Sequence, residues 1–150
     1  MKIYIGGRIS GLGYEEVVEY FNSTKRELQE YGYYVYSPMT AKDSLRNEMK
    51  FQTSGYGNPT STNHAIFERD KWAVKQSDIF YLNLSKAIDF TSIGGMMELA
   101  WASILGKHTI VVMQKENIHR HAFVLEAADI VFETHDEAMD YLEKLIKQVN

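Results

Sequence analysis

The stretch Ser92-Ile-Gly-Gly-Met-Met-Glu98-Leu-Ala-Trp-Ala-Ser-Ile-Leu-Gly106-Lys107, followed by Thr109-Ile-Val-Val-Met113, decides the fold. It reads as a glycine-broken loop, a short helix and then a buried strand, the half-unit of a parallel α/β sheet. Glu98 is expected in or near the first turn of that helix, where the positive end of the helix dipole favours its ionised form. A carboxylate held there above a small-residue loop is a candidate nucleophile. Taken alone, a first-turn glutamate is more often a plain helix stabiliser.

Working outward, the same alternation repeats. Lys2–Ile5 is a short strand that runs into Gly6-Gly7-Arg8-Ile9-Ser10-Gly11. A helical pattern begins at Tyr14, with Val17, Phe21, Leu28 and Tyr31 on one face, and Gly32 stops it. Tyr33–Tyr36 is a second strand closed by Pro38. A helix over Asn63–Gln76 leads into a strand at Ile79–Leu84 and a loop over Ser85–Gly95. Gln114–Ala128 reads as irregular apart from one helical turn. Ile130–Phe132 is the last strand, and Thr134-His-Asp-Glu137 is a capping box opening a helix with Ala138, Tyr141, Leu142 and Leu145 inside. Parallel neighbours need crossover helices. The pattern therefore predicts one α/β domain over 1–150, a doubly wound five-stranded parallel sheet of order 2-1-3-4-5. Its ligand site belongs at the carboxyl ends of the strands, near the switch point between the first and third. The polar, weakly periodic segment 40–63 is long for a plain connection and reads as a functional loop or lid.

Composition narrows the class. The 150 residues are 45% hydrophobic, carry a formal net charge of −4 and include no cysteine. A full-sized core is affordable, while a phosphate-neutralising nucleic-acid surface is disfavoured. Disulfides and thiolate chemistry are excluded, which fits a reducing cytoplasm. No apolar run approaches the roughly 20 residues of a membrane span.

Asp70 is the second oddly placed carboxylate. It falls among Ile66, Phe67, Ala73 and Val74, on the face that should meet the core, and an aspartate there is costly unless paired or used. Two readings stand: a buried pair with Arg or Lys, or a place at the sheet's carboxyl edge beside the Glu98 helix. Asp78 reads as structural, and Asp89 as either a solvated loop charge or a third site carboxylate. Gly6 and Gly7, with Arg8 and Ser10, offer N–H and side-chain donors to an anion, although no dinucleotide fingerprint is present. Of the histidines, His64, His108 and His135 read as surface or loop residues. His119 and His121 flank Arg120, a spacing that lacks a third metal ligand and better suits a basic patch for an anionic ligand.

These blocks together resemble the nucleoside 2-deoxyribosyltransferase family, including its branch of nucleoside 5′-monophosphate N-glycosidases. Four segments carry the resemblance: Tyr4-Ile-Gly-Gly7, Asp70 to Asp78, Ser92 to Ala102 with Gly106-Lys107, and His121 to Asp129. The resemblance implies that Glu98 is a nucleophile, Asp70 a catalytic acid and base, and Tyr4 the residue orienting Glu98. Gly6, Gly7, Arg8, Ser10, Asp89, Ser92, Gly94 and His121 are the implied substrate-binding residues. Ser92 matches the serine of the monophosphate hydrolases, where the transferases carry aspartate. His121 matches neither branch, and its segment resembles one that reaches into a neighbouring subunit's site. The expectation is thus a cytoplasmic homodimer or higher oligomer that acts on a small nucleoside or nucleotide, without metal or organic cofactor. A non-catalytic nucleotide-binding or sensor module on the same fold is the rival; it has no need of a carboxylate at 98.

Overall fold

The computed structural model describes residues 1–42, 45–46, 49–52 and 54–149. Five strands, β1 (Lys2–Gly7), β2 (Tyr34–Tyr36), β3 (Ile79–Asn83), β4 (His108–Val112) and β5 (Ile130–Phe132), form one sheet of order β2-β1-β3-β4-β5. Every pairing is parallel. The crossovers are α1 (Tyr14–Tyr31), α2 (Asn63–Gln76), α3 (Ile93–Ile104) and α4 (Ala122–Ala127), and α5 (His135–Val149) follows β5.

Strand alternation divides the core. Ile3 and Ile5 of β1, Ile79 and Tyr81 of β3, and Ile110 and Val112 of β4 pack with Val17, Phe21 and Leu28 of α1 and Ala138, Leu142 and Ile146 of α5. The intervening residues Tyr4, Phe80, Leu82 and Val111 point to the opposite face, under Ala73 and Val74 of α2 and Leu99 and Ala102 of α3. This two-residue period is what sends Tyr4 toward the Glu98 helix.

Local chemistry fixes the ends. Gly32 takes φ +104°, a left-handed conformation that costs glycine little, and its N–H closes on Gln29 and Leu28 carbonyls to end α1. The Thr62 hydroxyl caps α2 by accepting from the Ala65 N–H at 3.2 Å. The capping box before α5 forms as expected, with the Thr134 N–H and hydroxyl donating to Glu137.

Two sequence expectations are corrected. Gly94 and Gly95 belong to the first turn of α3 instead of a preceding loop, so Glu98 sits in the second turn, away from the dipole's end. The helical turn expected within Gln114–Ala128 is the short helix Ala122–Ala127. His108 and His135 are tied down: His108 bridges Asp129 (3.0 Å) and the Tyr141 hydroxyl (2.8 Å), and His135 Nδ1 meets the Tyr81 hydroxyl at 2.7 Å. Periodicity missed these because each histidine is the first residue of its element, β4 or α5. Among the described residues, no helix is long and apolar enough to cross a membrane.

Candidate active site

A cavity of about 420 Å³ opens at the carboxyl ends of β1 and β3, where the strand order reverses. Gly7, Arg8 and Ser10 line it from the β1–α1 loop, Ile66, Phe67 and Asp70 from α2, and Ser92, Gly94 and Glu98 from the start of α3. The 40–63 segment contributes Lys42, Leu45, Phe51, Gln52 and Tyr56 to the wall. It is pinned to the β1–α1 loop by the Phe51 N–H donating to Leu12 O (2.8 Å) and Gly11 N–H donating to Phe51 O (3.1 Å). The volume suits a nucleoside-sized ligand.

Glu98 is held from below. The buried Tyr4 hydroxyl donates to Glu98 Oε1 at 2.8 Å, and the Tyr4 ring stacks on Phe80 with centroids 5.7 Å apart. Gly6 leaves room for this carboxylate: a methyl group there would lie 3.2 Å from Glu98 Oε2 and 3.1 Å from Leu82 Cδ1. Burial pushes the Glu98 carboxyl up to about 8; repulsion from Asp70 adds to this, while the Tyr4 hydrogen bond and Lys42 oppose it. The helix-dipole argument for a readily ionised Glu98 therefore gives way to desolvation. Burial, followed by the Glu98 and Asp70 charges, also holds the Tyr4 phenol well above its ordinary value, so it remains a donor.

Asp70 is 8% exposed in the middle of α2. Both sequence readings of it describe the same residue. Its oxygens lie 4.0 Å from Lys42 Nζ and 4.0 Å from Arg69 Nε, and the side chain also lines the cavity beside Glu98's helix. Burial raises its pKa, and the Lys42 and Arg69 charges oppose the rise. Two carboxylates that repel one another in a poorly solvated site retain a proton at a pH where solvated ones have none.

Arg8 is fixed on the rim. Its guanidinium lies 4.5 Å over the Phe90 ring and donates to Lys86 O at 3.0 Å and Ser10 O at 3.4 Å. Ser92 is positioned through its backbone N–H, which donates to His119 Nε2 at 2.8 Å. His119 Nδ1–H must then donate to Asn117 Oδ1 (2.7 Å), which fixes a neutral imidazole. Burial also lowers the pKa of His119. This corrects the expected basic patch: His119 is a buried strut beneath Ser92.

Asp89 is exposed and lies outside the cavity lining. His121 is exposed too, and its Nδ1 accepts from Phe123 N–H at 3.2 Å as the cap of α4. Neither reaches this chain's cavity. Sequence reasoning missed Lys42, because a lysine in a polar segment reads as solvated. Phe67 and Trp101, edge-to-face at 5.0 Å on the cavity wall, were also not distinguished from the other aromatics. Among the described residues, no group of three or more His, Asp or Glu side chains is arranged to hold a metal ion.

The sequence matches the model of the nucleoside 2-deoxyribosyltransferase family over residues 3–144. The chain belongs to that family and is an enzyme of glycosyl transfer or hydrolysis. Solved structures share the fold. A 2-deoxyribosyltransferase from Bacillus psychrosaccharolyticus is 20% identical, with TM-score 0.65 over 94% of this chain and 92% of that one. A Clostridium botulinum CMP N-glycosidase, BcmB, is 14% identical, with TM-score 0.60 over 97% and 99%. A conserved protein from Enterococcus faecalis V583 is 14% identical, with TM-score 0.66 over 96% and 98%. No curated protein matches the sequence significantly.

Proposed function

We propose that the protein cleaves the N-glycosidic bond of a 2′-deoxynucleoside or its 5′-monophosphate through a covalent intermediate on Glu98. The observation that carries this reading is the Tyr4-anchored Glu98 sharing one cavity with the buried Asp70. In the first step a Glu98 oxygen bonds to C1′ as the C1′–N bond breaks; the bonding pair leaves with the base, which takes a proton from Asp70. In the second step the Asp70 carboxylate takes a proton from water or an incoming base. That nucleophile bonds to C1′ and releases Glu98. Tyr4 holds one Glu98 oxygen from beneath and leaves the other to attack. These residues accomplish the chemistry without a metal or organic cofactor, because the leaving group requires only a proton. Incubation with a panel of deoxynucleosides and their monophosphates, with and without free base, followed by chromatography of released bases, tests the reading. No release from any of them overturns it.

The 5′-monophosphate is the favoured substrate and water the favoured acceptor. Arg8, Ser10 and Ser92 all line the cavity, Ser92 at the amino end of α3. A hydrogen bond to a charged phosphate contributes about 1.5–3 kcal/mol, or roughly tenfold to 100-fold in kcat/KM. Ser92→Ala is expected to reduce turnover of the monophosphate by about tenfold while changing that of the free nucleoside little. Faster turnover of unphosphorylated nucleosides, accelerated by added base, identifies a transferase instead.

The working form is a homodimer or higher oligomer. His121 is exposed and does not line its own chain's cavity, and Phe123 (81% exposed), Ile118 (52%) and Ile104 (86%) are bare apolar side chains. Such surface suits an interface through which His121 enters a second copy's site. Light scattering at assay concentration should return at least a dimer, and a fully active monomer contradicts the assignment.

A further inference from the structure

The ion pair with Asp70 accounts for only part of the placement of Lys42. The residue is 5% exposed, a costly place for an ammonium group unless its charge and its three N–H donors are used. Asp70 is its only ion-pair partner among the described residues, and at 4.0 Å the contact is too long for a hydrogen bond. Arg69, the other cation at Asp70, stays behind the wall and donates to Thr60 O at 2.9 Å, whereas Lys42 lines the cavity itself. The backbone is also bent to put it there. Ala41, immediately before it, has φ +57°, the one positive φ of a non-glycine residue among those described. The turn is closed by Lys42 N–H donating to Met39 O and Leu45 N–H donating to Lys42 O. Strain of this kind persists where the surrounding structure over-determines a residue's position.

We infer that Lys42 is a base-contacting residue that selects a heterocycle with two adjacent acceptors, the ring nitrogen that Asp70 protonates and a carbonyl oxygen beside it, as on the N7/O6 edge of a 6-oxopurine. The inference rests on the proposed role of Asp70 as acid. A protonated Asp70 and the Lys42 ammonium, 4.0 Å apart, form a donor–donor pair. The 6-oxopurine edge is acceptor–acceptor, whereas a 6-aminopurine sets its own amino donor against the lysine. Lysine has no acceptor to turn toward that amino group. Phe67 and Trp101 on the same wall supply apolar surface for the ring. Burial lowers the Lys42 pKa, and Asp70 and Glu98 oppose the fall while Arg69 adds to it.

The test compares wild type, Lys42→Met and Lys42→Arg on 2′-deoxyinosine and 2′-deoxyadenosine and on their monophosphates, with binding of free hypoxanthine and adenine measured by calorimetry. Wild type should favour the 6-oxo substrate by about 10- to 100-fold in kcat/KM, the factor a charged donor supplies. Lys42→Met should bring the ratio close to one, and Lys42→Arg should keep most of it. Hypoxanthine binding should weaken in Lys42→Met while adenine binding does not. If Lys42→Met slows both substrates equally and only moves the pH profile, Lys42 acts on the carboxylates alone and the inference falls. Base release from no substrate overturns the glycosidase reading, and the calorimetry then decides Lys42 separately. Hypoxanthine that fails to bind wild type, or binds Lys42→Met as tightly, overturns the selection.

Discussion

Glu98→Gln should lower base release by about 10³-fold or more while leaving the protein folded, because loss of a covalent nucleophile removes the reaction path itself. Glutamine retains the shape of the side chain, and its carbonyl still accepts from the Tyr4 hydroxyl that sits 2.8 Å from Glu98 Oε1. What it cannot do is form and release a glycosyl ester. Single-turnover kinetics with the best substrate of the panel measures the loss. A 2′-fluorinated arabinosyl analogue should add the mass of the sugar to the wild-type peptide containing Glu98 and leave the variant unlabelled. Activity within tenfold of wild type would sink the assignment of Glu98 as nucleophile.

The same substitution should make the protein more stable above neutral pH. Burial and Asp70 hold the Glu98 carboxyl up to about 8, against an ordinary value of 4.5. As pH rises the unfolded chain therefore loses this proton first. Stability associated with the protonated group is fully present below about pH 4.5 and drains away as pH climbs toward 8. Glutamine has no proton to lose, so thermal melts of Glu98→Gln should fall less between pH 5 and 9. A site that costs stability when charged is the ordinary trade of fold for activity.

Sequence carried the sheet well and the site unevenly, for identifiable reasons. Strand order followed from alternating periods, since a run such as Ile79–Asn83, buried at every residue, has few other places to go. Asp70 was legible because a charge at a helical core position violates the pattern around it. Tyr4 needed the two-residue period of β1 plus a partner, Glu98, that lies 94 positions away, a distance no local pattern spans. Lys42 was invisible because its burial arises from a tertiary placement beside Asp70, 28 positions away, which no local pattern in the polar 40–63 segment reports; residues 43, 44, 47, 48 and 53 of that segment lie outside the described set. The helix-dipole argument failed by a single turn. Gly94 and Gly95 suggest a loop by composition, yet Gly95 is buried against Leu82, where a methyl group would lie 2.8 Å from Ser92 Oγ and 3.1 Å from Leu82 Cδ1. Close packing of helix on strand explains the glycine there better than flexibility does.

Asp70→Asn should slow base release by about 10²- to 10⁴-fold, the usual range for a lost general acid. The size of the loss should depend on the leaving group. A deoxynucleoside methylated at N7 of its purine already carries the positive charge that protonation would confer, so its base departs without help. For that substrate Asp70→Asn should approach wild-type rates of base release, a rescue that a misfolded or merely loosened site does not produce. The pH dependence supplies an independent reading. Asp70 repulsion is one of the causes that raise the Glu98 pKa, so asparagine should move the acid limb of the kcat/KM profile to lower pH. The alkaline limb, which reports loss of the proton that the departing base needs, should flatten for the same variant. Equal losses on ordinary and N7-methylated substrates, with an unmoved acid limb, would falsify the acid role and leave Asp70 as no more than the counter-charge of Lys42 and Arg69.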